Sequence, residues 1–123
     1  PARFQTEAGW CVPGEIAQAS IEDAMADLGF LPNEIDDFAE GWDDSFPEAE
    51  FMTVYPQFEL SPLTIDPVPD TLLRAWFYVT DGCALTPAPQ LTLTHRSGWH
   101  AAEWGVSFAA PLDAGEVLVE GWR

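Results

Sequence analysis

WHAAEWGVSFA, residues 99–109, has the period of a β-strand. His100, Ala102, Trp104, Val106 and Phe108 share one face, and Ala101, Glu103, Gly105, Ser107 and Ala109 share the other, which is the alternation of a half-buried strand. The same period runs through residues 51–58 (FMTVYPQF), 71–80 (TLLRAWFYVT), 90–96 (QLTLTHR) and 115–122 (GEVLVEGW), with a further short strand expected near residues 2–6. Ser97-Gly98 predicts a hairpin joining 90–96 to 99–109. Asp81-Gly82 marks another turn, Pro87, Pro89 and the stretch 111–115 punctuate the rest, and Pro62, Pro67 and Pro69 stiffen the connection 61–70.

Ahead of these runs the period lengthens. Pro13-Gly14-Glu15 opens a helix running to about Leu28, whose Ala17, Ile21, Ala24, Met25 and Leu28 form one apolar stripe, and Gly29 is placed to end it. A second helix is expected over residues 31–44, with proline and acids at its start as the helix dipole favours. Leu31, Ile35, Phe38 and Trp42 make a narrow apolar seam, opposed by Asp36, Asp37, Glu40, Asp43 and Asp44. Like charges at i, i+4 (Asp36 with Glu40, Glu40 with Asp44) weaken a helix by about 0.2–0.5 kcal/mol per pair, so packing rather than local preference must hold it. The expected fold is α+β. Two N-terminal amphipathic helices pack on an antiparallel β-sheet, a meander of about four to six strands. Residues 1–123 form one domain, with a helical acidic part over about 10–48 and a β-rich part over about 50–123.

Charge is distributed as unevenly as structure. Sixteen of the 21 acids lie between Phe4 and Leu73, a stretch without lysine or arginine, and the formal net charge is −17. Such a charge opposes compaction by self-repulsion, yet six tryptophans and eight phenylalanines exclude a disordered chain. Trp42 and Trp104 fall on apolar stripes and read as core; Trp76 and Trp99 are open to a stacking role. Salt adaptation is the competing explanation of the acidity, but it spreads acids over a whole surface. No window is apolar enough for a membrane span, the N-terminus has no basic-then-apolar pattern of a signal peptide, and the expected location is the cytoplasm. Cys11 and Cys83 share no CxxC spacing and read as small buried apolar residues, a disulfide being the alternative.

Motifs for chemistry are lacking. An EF-hand loop with Gly41 sixth would put Phe38 third and Pro47 twelfth, where oxygen ligands are required. His95 and His100 with Glu103 suggest zinc, but His100 and Glu103 point to opposite faces of a strand. No nucleophile motif, P-loop or dinucleotide fingerprint is present. The expectation is therefore a non-enzyme with no cofactor and no metal. Without a basic patch it binds neither nucleic acid directly nor a membrane. It is instead an acidic module that occludes a basic protein, as a DNA-mimic-type inhibitor of a nucleic-acid-binding protein or a toxin-neutralising protein does, through Asp36, Asp37, Glu40, Asp43, Asp44, Glu48 and Glu50. The alternatives are an assembly subunit with an acidic docking face, or a small carboxylate-based or metal-assisted enzyme.

Overall fold

A computed structural model describes residues 4–42, 45–60, 64–96 and 98–109, and the backbone alone of 119–122. The chain order is β1 (Trp10–Pro13), a 3-10 turn (Gly14–Ile16), α1 (Ala17–Leu28), α2 (Pro32–Trp42), β2 (Phe51–Gln57), β3 (Thr71–Asp81), β4 (His100–Phe108) and β5 (Val119–Trp122). Among the described residues these strands make one sheet in sequence order. β1–β2, β2–β3 and β4–β5 are antiparallel, but β3 and β4 are parallel, with Thr71 opposite His100 and Val79 opposite Phe108. The α+β class stands, while the purely antiparallel meander is corrected to a mixed sheet.

The parallel pair explains why residues 90–96 are not a strand. Parallel neighbours cannot be joined by a tight turn, so the chain must travel back along the sheet before β4 can begin. The described residues of 82–99 make this crossover without a helix. The Thr94 N–H donates to the Leu28 carbonyl (3.1 Å), Leu91 packs against the core, and Arg96 reaches α2. The alternation in 90–96 does not mark one covered side: Leu91 packs on the core, Thr94 and Arg96 of the opposite set reach the helices, and Leu93 is 50 % exposed. Ser97 lies outside the described residues. Gly98, with φ 62°, turns the chain into β4 and not into the expected hairpin. There the Asp70 carboxylate accepts the Trp99 N–H (2.9 Å) and the Asp70 N–H donates to the Trp99 carbonyl (2.7 Å), so β3 and β4 start together.

α1 and α2 cover one sheet face. α1 buries Ala17, Ile21, Ala24 and Met25 as its pattern requires. It ends at Gly29, whose φ of 108° is a left-handed cap, and a side chain there would strike the Thr94 carbonyl of the crossover. From α2, Phe38 and Trp42 enter the core and Ile35 lies against it, but Leu31 is 42 % exposed. The sheet contributes Met52 and Val54, then Leu73, Ala75, Phe77 and Val79, then Ala102, Trp104 and Val106.

Among the described residues the opposite face carries no helix and covers itself. The Trp76 ring lies over Gly105, where any Cβ would collide with it, and its indole N–H donates to Ser107 Oγ (2.9 Å). Arg74 pairs with Glu103 at 2.6 Å. Thr53 is capped by the turn after β3: its hydroxyl donates to the Gly82 carbonyl and accepts from the Ala84 N–H. Residues 4–6 join no ladder, contrary to the strand expected near 2–6 (2 and 3 lie outside the described residues). Gln5 instead uses side-chain bonds to residues 57–59.

Cys11 and Cys83 form a disulfide, with Cα atoms 5.2 Å apart, in place of the two buried thiols expected. It spans β2, tying β1 to the start of the crossover, and Cys83 is exposed. The two cysteines are remote in sequence and meet only because β1 and the end of β3 flank the same strand. Changing both to serine should lower the unfolding free energy by roughly 4 kcal/mol, the loop-closure value for a sequence separation of 72. Denaturant midpoints of the wild type with and without reductant measure it; coincident midpoints would show that the bridge adds no stability. Phe38→Ala should cost about 3–5 kcal/mol, read in the same experiment.

Candidate functional site

α2 places carboxylates on both its sides, and they do different things. Pro32 fills the first helical position and Glu34 the third, from which a glutamate can reach back to the residue before the helix. Its Oε1 accepts the Leu31 N–H at 2.8 Å, which is why Leu31 sits at the helix mouth and not in the seam. Both Glu34 oxygens also accept from Arg96, Nη1 to Oε2 at 2.8 Å and Nη2 to Oε1 at 2.5 Å. Glu34 is 2 % exposed, and the Arg96 guanidinium lies 5.9 Å from the Phe30 ring centroid. Burial alone would raise the Glu34 carboxyl. Hydrogen bonds from Arg96 and Leu31, with the charges of Arg96 and His100, outweigh it and hold the group below the usual glutamate range.

The outward side of α2 carries the predicted surface. Asp36 and Glu40 are exposed, about one helical turn or ~6 Å apart along the axis. Asp37 is half-buried. Asp43 and Asp44 lie outside the described residues. Glu48 and Glu50 are exposed in the segment after α2, which is pinned to the 3-10 turn ahead of α1 where the Gly14 N–H donates to the Glu50 carbonyl (3.0 Å). On α1, Asp23 and Asp27 are exposed too. The helical layer and the turn beyond it therefore present carboxylates outward.

The described arginines point elsewhere. Arg96 is held by Glu34 and Arg74 by Glu103; Arg3 and Arg123 lie outside the described residues. His95 is exposed and His100 half-buried, while Glu103 turns to the helix-free face, as strand alternation requires. Among the described residues, no group of three histidine, cysteine or acidic side chains converges on a point where a metal could sit. Sequence reasoning missed the Glu34–Arg96 pair. The available signal was a glutamate two residues after Pro32, the position from which it caps the helix; nothing in the sequence pointed to Arg96.

No family model, no curated protein and no solved structure matches the chain.

Because the Glu34 carboxyl is held low when folded, its contribution is full above the usual glutamate range and is lost as pH falls through the lowered value. Protonating surface carboxylates relieves repulsion over the same range, with opposite sign. The informative quantity is therefore the stability of the wild type minus that of Glu34→Gln. It should shrink as pH falls below about 4, and a pH-independent difference would contradict the pairing. Arg96→Met, which strands the buried carboxylate, should cost about 3–5 kcal/mol at neutral pH by thermal or denaturant unfolding.

Proposed function

We propose that the protein is an acidic binding module that captures a basic protein and covers the surface which that partner uses. It would act as a DNA-mimic-type inhibitor or a toxin-neutralising protein does, without catalysis of its own. The observation that carries this reading is the fate of the arginines. Both guanidinium groups among the described residues are turned into ion pairs with Glu34 and Glu103, so they do not offset the outward carboxylates of Asp36, Glu40, Glu48 and Glu50. A surface of one sign steers an oppositely charged partner and rejects polyanions. Duplex DNA shows one charge per ~1.7 Å of axis, so carboxylates one helical turn apart imitate its field at lower density. Asp37, Asp43 and Asp44 belong to the same proposed contact by sequence.

The Cys11–Cys83 disulfide supports an oxidising compartment as the working location, in place of the cytoplasm expected from sequence. No helix among the described residues is long and apolar enough to cross a membrane.

The test is recovery of the native partner, followed by assay of its nucleic-acid binding or nuclease activity with wild type and with Asp36→Lys/Glu40→Lys. The wild type should inhibit, and its affinity should fall steeply with salt. The double variant should bind at least about tenfold more weakly, a loss of roughly 1.4 kcal/mol, while its melting temperature holds or rises. Undiminished affinity of the variant would remove the acidic face from the interface. Unchanged partner activity at saturation would point to assembly instead of inhibition.

A further inference from the structure

On the helix-free face, a short segment of the chain is seated as a bound peptide would be. Gln5 is held through every polar atom it has. Its main-chain N–H donates to Gln57 Oε1 (2.8 Å) and its carbonyl accepts from Gln57 Nε2 (2.9 Å). Its side-chain oxygen accepts from the N–H groups of Phe58 (2.8 Å) and Glu59 (3.0 Å), and its Nε2 donates to the Glu59 carbonyl (3.1 Å). Beside it the Phe4 ring lies flat on Tyr78, with centroids 4.1 Å apart and planes 2° from parallel.

This seat discriminates. A glutamate in place of Gln5 would lose the donor and set a carboxylate against the Glu59 carbonyl. An asparagine is a methylene too short to span the same three groups. Gln57 is 6 % exposed and directs both ends of its amide at the main chain of Gln5, contacts that any chain laid in the same place can supply.

The occupant is weakly held. All three bonds of the Gln5 side chain lie at the surface, Phe4 is 41 % exposed, and residues 4–6 belong to no ladder. Water replaces surface hydrogen bonds at little net cost, whereas seating the segment orders several residues. Undocking leaves a preformed receptor made of the Gln57 amide, the 58–59 N–H pair and the Tyr78 ring. We infer that this receptor is a docking site for a segment of another chain in which an aromatic residue precedes glutamine, and that Phe4 and Gln5 are its occupant in cis, which such a segment displaces. The recognition is uncharged and lies across the sheet from the acidic helices, so it stands apart from the capture of a basic partner.

The test uses the full chain carrying Phe4→Ala and Gln5→Ala, which removes the occupant's ring and its three side-chain hydrogen bonds, weakening its hold, but leaves the walls of the seat intact. The probe is the acetylated, amidated octapeptide PARFQTEA. In an NMR titration the peptide should shift the Phe58 and Glu59 amides saturably, at concentrations about tenfold below those the wild-type chain requires, since the cis occupant competes. Affinity should persist in high salt. It should vanish when the peptide carries Gln5→Glu or the receptor carries Gln57→Ala. No saturable shift, equal affinity for variant and wild type, or equal binding of the Gln5→Glu peptide would each overturn the inference. In the wild type, the Phe58 and Glu59 amides should exchange with deuterium far faster than that of Phe77 in β3; equal protection would overturn the exchangeable seat.

Discussion

The buried pair of Glu34 and Arg96 is the constraint on which the rest of the structure depends. A parallel β3–β4 contact obliges residues 82–99 to cross the molecule, the described ones without a helix to dock them. Such a connection has few backbone bonds of its own and must be tied to something rigid. Arg96, just ahead of β4, supplies the tie by clamping the first turn of α2, where Glu34 is already bound to the Leu31 N–H. One carboxylate thus caps a helix, anchors the crossover and fixes where β4 begins. Buried ion pairs are costly to desolvate and offset that cost only with full hydrogen bonding. Here both carboxylate oxygens are engaged, in the two-pronged geometry that favours arginine.

The same pair shapes the outside of the molecule. With so few cations in the chain, committing Arg96 and Arg74 to internal partners leaves the outward carboxylates of α1, α2 and the turn beyond them without neutralisation from those residues. Self-repulsion then works against folding. The Cys11–Cys83 bridge opposes it by restricting the unfolded chain, and the aromatic cluster of Trp42, Phe46 and Phe108 opposes it by burial. Neither device needs a positive charge at the surface. The fold therefore tolerates outward carboxylates that Arg74 and Arg96 do not neutralise, the property from which the proposed capture of a basic partner follows.

Where burial alternates and the partner is the adjacent layer, the structure was legible. The α1 stripe, Phe38, Trp42 and Trp104, and the runs that became β2, β3, β4 and β5 all lie where periodicity puts them. Periodicity reports a possible pairing surface and not whether a neighbour is there to pair. Residues 90–96 alternate in sequence, yet Leu91 and Arg96 from opposite sets both reach the core or the helices and Leu93 is exposed, so the pattern of a strand resulted without a strand. Leu31 carried the right spacing for the seam, but its N–H serves Glu34, and that placed it at the helix mouth. Although Asp37 on the same side is half-buried, Asp36 and Glu40 were legible as exposed because they lie opposite the apolar seam of α2. Glu34, three residues from Leu31 and among the same acids, was not, because its partner lies 62 residues away.

Local sequence by itself determined the helices, four of the strands, the aromatic core positions and the concentration of negative charge in the first seventy residues. Each of these depends on neighbours a few positions apart, through backbone period and side-chain polarity. Tertiary structure alone decided the parallel pairing, the disulfide, the pairing of Arg74 and Arg96 with glutamates and the seat of Gln5 on Gln57. Each of those joins groups that are distant along the chain, and which distant groups meet is settled by the free energy of the whole packed arrangement.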